Sequence, residues 1–160
     1  FLICPDNTIH QALAHVLPQS PRPWLHIAEE VAAEAAARGY RRIGILGTRW
    51  LVDSGVYPDK LAAEGLDHVR PGQEDRDALA RIIMDELVYG VFKPESVARL
   101  QAIIGNLRDA GCDAVVLGCT ELPLVLNDGN SALPTLDSTR ILARAALTRA
   151  LQPPDARQPR

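Results

Sequence analysis

The sequence has few aromatic residues and no long apolar run. Phe, Trp and Tyr make up 4% of its 160 residues, so we expect a core of Ala, Leu, Ile and Val, as in helices packed on a sheet. Pro, Asn, His, Arg or Asp interrupts every hydrophobic stretch before it reaches the roughly 18–20 residues of a membrane-spanning helix. The sequence therefore predicts one domain or two small lobes, and no membrane span.

Basic clusters and metal-binding motifs are also scarce. Lys and Arg number 17 against 20 Asp and Glu, and the one basic cluster is Arg41-Arg42, so nucleic acid is not expected as a partner. Cys4, Cys112 and Cys119 form no CxxC pair, which argues against a disulfide framework or a thiolate zinc site. HExxH and glycine-rich phosphate-loop motifs are missing too. We expect a cytoplasmic protein with reduced thiols and no bound metal.

Short apolar segments alternate along the chain with stretches of helical spacing. The predicted strands span residues 1–4, 43–46, 66–69, 114–117 and 133–136. The predicted helices span residues 8–17, 24–38, 73–88, 94–110 and 141–151, and one more ends at 64. This alternation predicts right-handed βαβ units, and hence an α/β fold with parallel sheets flanked by helices.

Small polar clusters follow four of the predicted strands. They are Asp6-Asn7-Thr8, Gly47-Thr48, Gly118-Cys119-Thr120-Glu121 and Asp137-Ser138-Thr139. The carboxyl ends of parallel strands meet at one edge of the sheet, which is where open α/β sheets bind ligands. We therefore expect these clusters to form one site.

Cys119 is the first candidate for chemistry in that site. A thiol beside loop amides and a helix N-terminus can have its pKa lowered from about 8.5 towards neutrality, although a free cysteine can also be a small buried hydrophobe. Cys112 is predicted at the opposite edge, where it is inert. Asn7 and Thr8 are neutral donors suited to a carboxylate, or simple helix caps. His10 either lines the site or has a structural role.

The motifs in their order along the chain resemble the aspartate/glutamate/hydantoin racemase superfamily, in particular its amino-acid (aspartate) racemase branch. The resemblance rests first on Asp6-Asn7-Thr8-Ile9-His10 and on Leu117-Gly118-Cys119-Thr120-Glu121-Leu122. The segments 25–27, 54–57 and 85–90 fall in the expected order between them. The resemblance covers nearly the whole chain.

The resemblance implies a cofactor-independent isomerase with two pseudo-symmetric α/β lobes. Each lobe offers one acid/base group to opposite faces of the α-carbon of a small amino acid, with aspartate or glutamate as the first expectation. The catalytic pair would be Cys119 and Asp6, and relatives commonly form homodimers. The substrate-binding residues would be Asn7, Thr8, Thr48, Thr120 and Glu121.

Three positions depart from the family pattern. Asp6 stands where the two-cysteine members have their first catalytic residue, and Cys4, two residues earlier, is a less favoured substitute. Tyr89 stands where such racemases often have Lys, and Leu51 where they have Thr. A distal substrate carboxylate would lose a cation at Tyr89, for which Lys93 is a candidate replacement.

The resemblance also suggests a division of the chain. Residues 1–24 would be the remnant of an incomplete first lobe, 25–132 a complete second lobe, 133–152 a return segment whose helix packs on the first lobe, and 153–160 a disordered tail. Such a truncated chain is expected to turn over poorly, because its first lobe exposes an unpaired sheet edge. A carboxylate-binding module without catalysis, or a related single-cysteine isomerase or lyase, is the alternative function.

Overall fold

A four-stranded parallel sheet forms the centre of the protein in a computed structural model that describes residues 1–152. Its strands are β1 (Arg42–Leu46), β2 (Asp67–Val69), β3 (Ala114–Leu117) and β4 (Thr135–Asp137), in the spatial order β2-β1-β3-β4. Leu46 pairs with Leu117, which pairs with Asp137, so three strands end side by side. The predicted α/β class with a parallel sheet is confirmed.

Helices cover both faces of this sheet. They are α1 (Leu13–Val16), α2 (Ile27–Ala37), α3 (Arg49–Val52), α4 (Val56–Ala63), α5 (Gln73–Asp85), α6 (Pro94–Asp109) and α7 (Ser138–Leu151). Short 3₁₀ turns lie at Thr8–Ala12, Leu17–Gln19, Leu87–Tyr89 and Leu122–Leu124. Within residues 1–152, no helix is both long and apolar enough to span a bilayer.

Side chains of β1 and β3 alternate between two apolar layers. Ile45 and Val116 face the layer of α2, α3 and α4, whereas Leu46 and Leu117 face that of α5 and α6. Since successive residues of a strand point to opposite faces, an apolar residue at nearly every position is what a doubly covered parallel sheet requires. Both strands are therefore buried almost completely.

The predicted strand at residues 1–4 was wrong. Leu2 makes a single parallel bridge, in which its N–H donates to the Pro23 carbonyl at 2.8 Å and its own carbonyl accepts from Leu25 at 3.0 Å. Phe1, Leu2 and Ile3 are exposed, because no further strand in the described residues covers them. Residues 1–4 have the composition of a strand, but they lack a neighbouring strand among the described residues with which to pair.

Two predicted helices are shorter than their apolar pattern. The helix predicted at 24–38 begins only at Ile27, because His26 is extended and caps α2 by accepting from the N–H of Ala28 at 3.2 Å. The helix predicted at 73–88 ends at Asp85 and continues as a 3₁₀ turn to Gly90, whose φ of 71° stops it. The predicted helix at 8–17 is divided between 3₁₀ turns and α1.

The C-terminal segment joins the same sheet. β4 pairs with β3, and α7 packs on α2 through Leu142, Leu25 and Ile27. The division into two pseudo-symmetric lobes at residues 24, 132 and 152 stays a prediction. The tail predicted at 153–160 lies outside the described residues.

Candidate active site

The ends of β1 and β3 approach each other through glycines. The Gly118 N–H donates to the Leu46 carbonyl at 2.8 Å, and a Cβ on Gly118 would lie 2.6 Å from that carbonyl oxygen. A Cβ on Gly47 would lie 3.1 Å from the Gly118 carbonyl oxygen. Only glycine fits at Gly118, and Thr48 and Cys119, which follow the two glycines, leave the ends of neighbouring strands.

The N-terminal cluster meets these strand ends although it does not follow a strand. The hydroxyl oxygens of Thr8 and Thr48 lie 3.0 Å apart. The Asn7 amide donates to the Ser138 hydroxyl at 3.0 Å, and Ser138 follows directly on β4. The structure thus joins the N-terminal cluster to the ends of β1 and β4, and the prediction that the polar clusters meet is confirmed for these residues.

A buried chain of hydrogen bonds holds Asn7 in this position. The Tyr57 hydroxyl donates to Asn7 Oδ1 at 2.6 Å, the Asn7 amide donates to Ser138, and the Ser138 hydroxyl donates to the Leu117 carbonyl at 2.8 Å. Tyr57 and Ser138 are fully buried. The sequence predicted Ser138 only as a member of the polar cluster at 137–139 and gave Tyr57 no part in the site, because nothing in the sequence signals that both residues bond to the amide of Asn7.

Cys119 is buried and donates its thiol proton to Glu121 Oε2 at 2.7 Å. Burial raises the pKa of this thiol to about 12, and the hydrogen bond and negative charge of Glu121 act in the same direction. The expected lowering of its pKa was therefore wrong, because burial and a carboxylate outweigh the loop amides. Cys119 is a thiol, not a thiolate, in the resting protein.

Glu121 is the carboxylate partner of this thiol. Burial raises its pKa, but hydrogen bonds from Cys119, Thr120 and its own backbone outweigh the burial, and the net shift is downward. Glu121 is therefore a carboxylate at neutral pH, and it accepts a hydrogen bond from the thiol without taking its proton. Thr120 is exposed and bonded to Glu121.

Asp6 lies within electrostatic reach of Cys119, because its negative charge contributes to the raised pKa of the thiol. Its Oδ1 accepts from the N–H of Ile9 at 2.8 Å, so Asp6 caps the first 3₁₀ turn. The cap interpretation offered for Asn7 and Thr8 was wrong, because their side chains bond to Tyr57, Ser138 and Thr48 instead. Asp6 itself is exposed, whereas Asn7 beneath it is buried.

Similarity to known proteins identifies the family of the chain. A family model described as Asp/Glu/hydantoin racemase matches residues 1–146. The chain belongs to this family. The broad specificity amino-acid racemase RacX of Bacillus subtilis is 24% identical over 151 residues, which are 92% of this chain and 63% of RacX.

Solved structures of racemase-family proteins share the fold. A Yersinia pestis protein proposed to be an Asp/Glu racemase superposes with a TM-score of 0.88 at 33% identity, over 94% of this chain and 66% of that one. An aspartate racemase homologue from Pyrococcus horikoshii gives 0.81 at 32% identity, over 91% and 64%. This chain therefore spans about two thirds of the length of these relatives.

The positions that depart from the racemase-family pattern have different surroundings. Leu51 is buried and touches the Cβ positions of both Gly47 and Gly118, so it packs beneath the strand ends. Tyr89 is 78% exposed, and the Lys93 ammonium lies 3.2 Å from Glu86. Lys93 is thus ion-paired at the end of α5, and the structure does not present it as a free cation.

The structure also shows the surroundings of the other two cysteines and of His10. Cys112 is buried at the opposite end of β3, as predicted, and burial raises the pKa of its thiol. Cys4 is half-buried in the N-terminal extended segment. His10 is buried with both ring nitrogens hydrogen-bonded to the backbone, which confirms its structural role. Among residues 1–152 no cluster of three metal-ligating side chains is found.

Proposed function

We propose that this chain carries the acid/base pair of a cofactor-independent amino-acid racemase, with Cys119 and Asp6 on opposite sides of the substrate α-carbon. The observation that supports this most is the Cys119–Glu121 hydrogen bond, at a strand end within reach of the Asp6 charge. A proton donor and a carboxylate from separate segments are what inversion needs, since no single side chain reaches both faces of a carbon.

The proton on Cys119 determines which enantiomer reacts first. In the resting protein Cys119 carries a proton and cannot act as the base, so the enantiomer that reacts first is the one whose α-hydrogen faces Asp6. Asp6 accepts that proton, the electron pair stays on the α-carbon and its carboxylate, and Cys119 donates its proton to the opposite face. Asp6 then releases its proton to solvent and the Cys119 thiolate takes one up. The other enantiomer reacts by the reverse steps, from a protonated Asp6 and a Cys119 thiolate.

The threonine hydroxyls are suited to hold the substrate carboxylate. Thr48 Oγ1 accepts from the N–H of Leu51 at 3.3 Å and lies 3.0 Å from Thr8 Oγ1. If Thr8 donates to Thr48, the Thr48 hydroxyl proton is left for a ligand. Neutral donors of this kind stabilise the charge that develops on the carboxylate as the α-proton leaves.

Aspartate- and glutamate-like amino acids are the substrates we propose first. Two names among the relatives support this, glutamate racemase in Beutenbergia cavernae (36% identical over 62% of this chain) and the aspartate racemase homologue of P. horikoshii. The reaction needs Cys119 as a thiol, so we place the enzyme in a reducing compartment, the cytoplasm.

Replacement of the proposed sulfur tests the function directly. We expect Cys119→Ala to slow α-proton exchange in deuterated water by about 10²–10⁴-fold, the usual contribution of a general acid/base, for the enantiomer of aspartate or glutamate whose α-hydrogen faces Cys119. Exchange is measured by NMR on both enantiomers, with circular dichroism as a check of folding. Cys112→Ala removes a buried thiol at the other end of β3 and should leave exchange unchanged.

Three outcomes would contradict the proposal. Wild-type exchange of both enantiomers in Cys119→Ala would remove Cys119 from the chemistry. Binding of the amino acid by the wild-type chain without any deuterium incorporation would favour a carboxylate-binding module instead, and a product of altered connectivity or geometry would favour a single-cysteine isomerase or lyase.

The second acid/base group is identified by a paired experiment. Asp6→Asn keeps an oxygen to accept from Ile9 but cannot act as a base, so racemisation should fall by about 10²-fold or more. Cys4→Ala should leave the rate unchanged. The reverse result would transfer the role from Asp6 to Cys4.

A further inference from the structure

His10 connects the N-terminal side of the site to the start of α2. Its ring is 5% exposed, with Nδ1 2.8 Å from the Asp6 carbonyl oxygen and Nε2 3.3 Å from the N–H nitrogen of Ile27. The backbone N–H of Ile27 can only donate, so Nε2 must accept. Nδ1 then carries the ring proton and donates to the carbonyl of Asp6.

This pairing works only for the neutral ring. A protonated His10 would present Nε2–H to the N–H of Ile27, so two donors would face each other at the positive end of the α2 dipole. The carbonyl that His10 holds belongs to Asp6, whose side chain caps the adjacent 3₁₀ turn. Movement of the ring would therefore move the proposed base.

A second imidazole repeats the arrangement. His26 accepts from the N–H of Ala28, and its ring centroid lies 4.6 Å from that of His10 with an interplanar angle of 63°. Burial, together with the charges of His10 and Lys60, lowers the pKa of His26 to about 4, against the charge of Glu29 and a backbone hydrogen bond. Burial also lowers the pKa of His10, against the carbonyl and charge of Asp6 and the charge of Glu29.

We propose that His10 is a positioning residue, whose neutral ring ties the backbone of Asp6 to the N-terminus of α2 and keeps the Asp6 carboxylate in register with Cys119. His10 touches the backbone of Asp6 rather than the reacting atoms. The effect on turnover rests on the proposed function, whereas the tautomer and its link to folding do not.

Acid pH should destabilise the folded protein, because folding lowers the pKa of His10 and of His26. Because the folded protein binds a proton at His10 and His26 less tightly than the unfolded chain does, stability is complete above pH 6.5, the ordinary pKa of histidine. It is lost as the pH falls from there towards about 4, where His26 titrates in the folded state. Positioning of Asp6 should be lost over the acid side of the same range.

The experiment compares three variants of the 160-residue chain with the wild type at pH 4.5–8. His10→Ala removes both hydrogen bonds, and kcat at pH 7.5 should fall by about tenfold or more while KM changes less than threefold. His10→Gln keeps an acceptor for Ile27 that does not titrate, so the acid loss of stability in urea should become smaller. His15→Gln replaces an exposed histidine of α1, so both kcat and the acid loss of stability should stay as in the wild type.

The ring tautomer is read independently of activity. In ¹⁵N-histidine NMR at pH 7.5, His10 should show the Nδ1–H form. A His10 that is protonated or in the Nε2–H form, or a folded His10→Ala protein with wild-type kcat, would overturn the proposal. If the wild type racemises none of the amino acids tested, the proposed function fails, and the tautomer and the urea comparison of His10→Gln still decide the role of His10. The same two measurements decide the role of His10 if His10→Ala does not fold.

Discussion

At the scale of single residues, the sulfur of Cys119 owes its protonation to its surroundings rather than to its place at a strand end. Burial comes first, and the adjacent Glu121 then adds a hydrogen bond and a negative charge. The sequence shows that these residues are two apart but not that the strand end is closed over by Leu122 and other core side chains. Burial is a tertiary property, so the direction of the pKa shift could not be predicted from the loop alone.

Substitution of the carboxylate partner should change that pKa in a known direction. In Glu121→Gln the negative charge beside the thiol is gone, so the pKa of Cys119 should fall below its value of about 12. Each unit of fall raises the thiolate fraction at fixed pH about tenfold. The measurement is the pH dependence of Cys119 alkylation, followed on its own peptide by mass spectrometry.

The matched control is Glu64→Gln, on an exposed glutamate at the end of α4. It should leave the alkylation profile of Cys119 unchanged. An unchanged profile in Glu121→Gln would mean that burial sets the protonation of the sulfur without Glu121.

At the scale of secondary-structure elements, the best-predicted segments are those bounded by local signals. β3 has the predicted bounds, because four apolar residues lie between the helix-ending Gly111 and Gly118. α6 begins at Pro94 as predicted, since proline is favoured in the first turn. The strand predicted at residues 1–4 failed because a strand also needs partners, which a pattern of apolar residues does not supply.

The contact between β1 and β3 makes a prediction for Gly118. In Gly118→Ala the new methyl group would lie 2.6 Å from the Leu46 carbonyl oxygen and 2.5 Å from Leu51 Cδ2, so the strands must separate. The free energy of unfolding in urea should fall by about 1–3 kcal/mol, and activity should fall with it as Cys119 shifts.

Gly105→Ala is the control for the same chemical change. Gly105 lies within α6, and a Cβ there would meet nothing within 4 Å, so this variant should be more stable by up to about 1 kcal/mol. A Gly118→Ala protein as stable as the wild type would show that the two strand ends have room to separate.

The hydrogen-bond chain from α4 to β3 joins elements that are distant in sequence. Tyr57→Phe deletes only a hydroxyl, but it leaves the buried Oδ1 of Asn7 without its donor, which should reduce the free energy of unfolding by about 1–3 kcal/mol. Tyr40→Phe removes a hydroxyl from a partly exposed tyrosine and should cost less than about 0.5 kcal/mol. Equal losses in the two variants would contradict a special role for the buried chain.

At the scale of the whole molecule, burial is distributed unevenly. β1 and β3 lie between two apolar layers, whereas the buried side chains of residues 1–24 are those of Asn7, His10 and Leu13 alone. Apolar side chains on the outer side of this segment are exposed, among them Phe1, Ile9 and Val16. The segment that contains Asp6 is therefore expected to be less stable than the strands that lead to Thr48 and Cys119.

Hydrogen exchange should reveal this difference. Amides of β1 and β3 should exchange only with global unfolding, whereas those of residues 8–19 should exchange through local opening, at rates that approach those of unstructured peptides. Because Thr8 would donate to the Thr48 hydroxyl that binds the substrate carboxylate, saturating aspartate or glutamate should slow exchange in residues 6–12 and leave β1 unchanged. Equal protection of residues 8–19 and β1 without ligand would contradict this, because the Asp6 side would then be as firmly held as the sheet that carries Cys119.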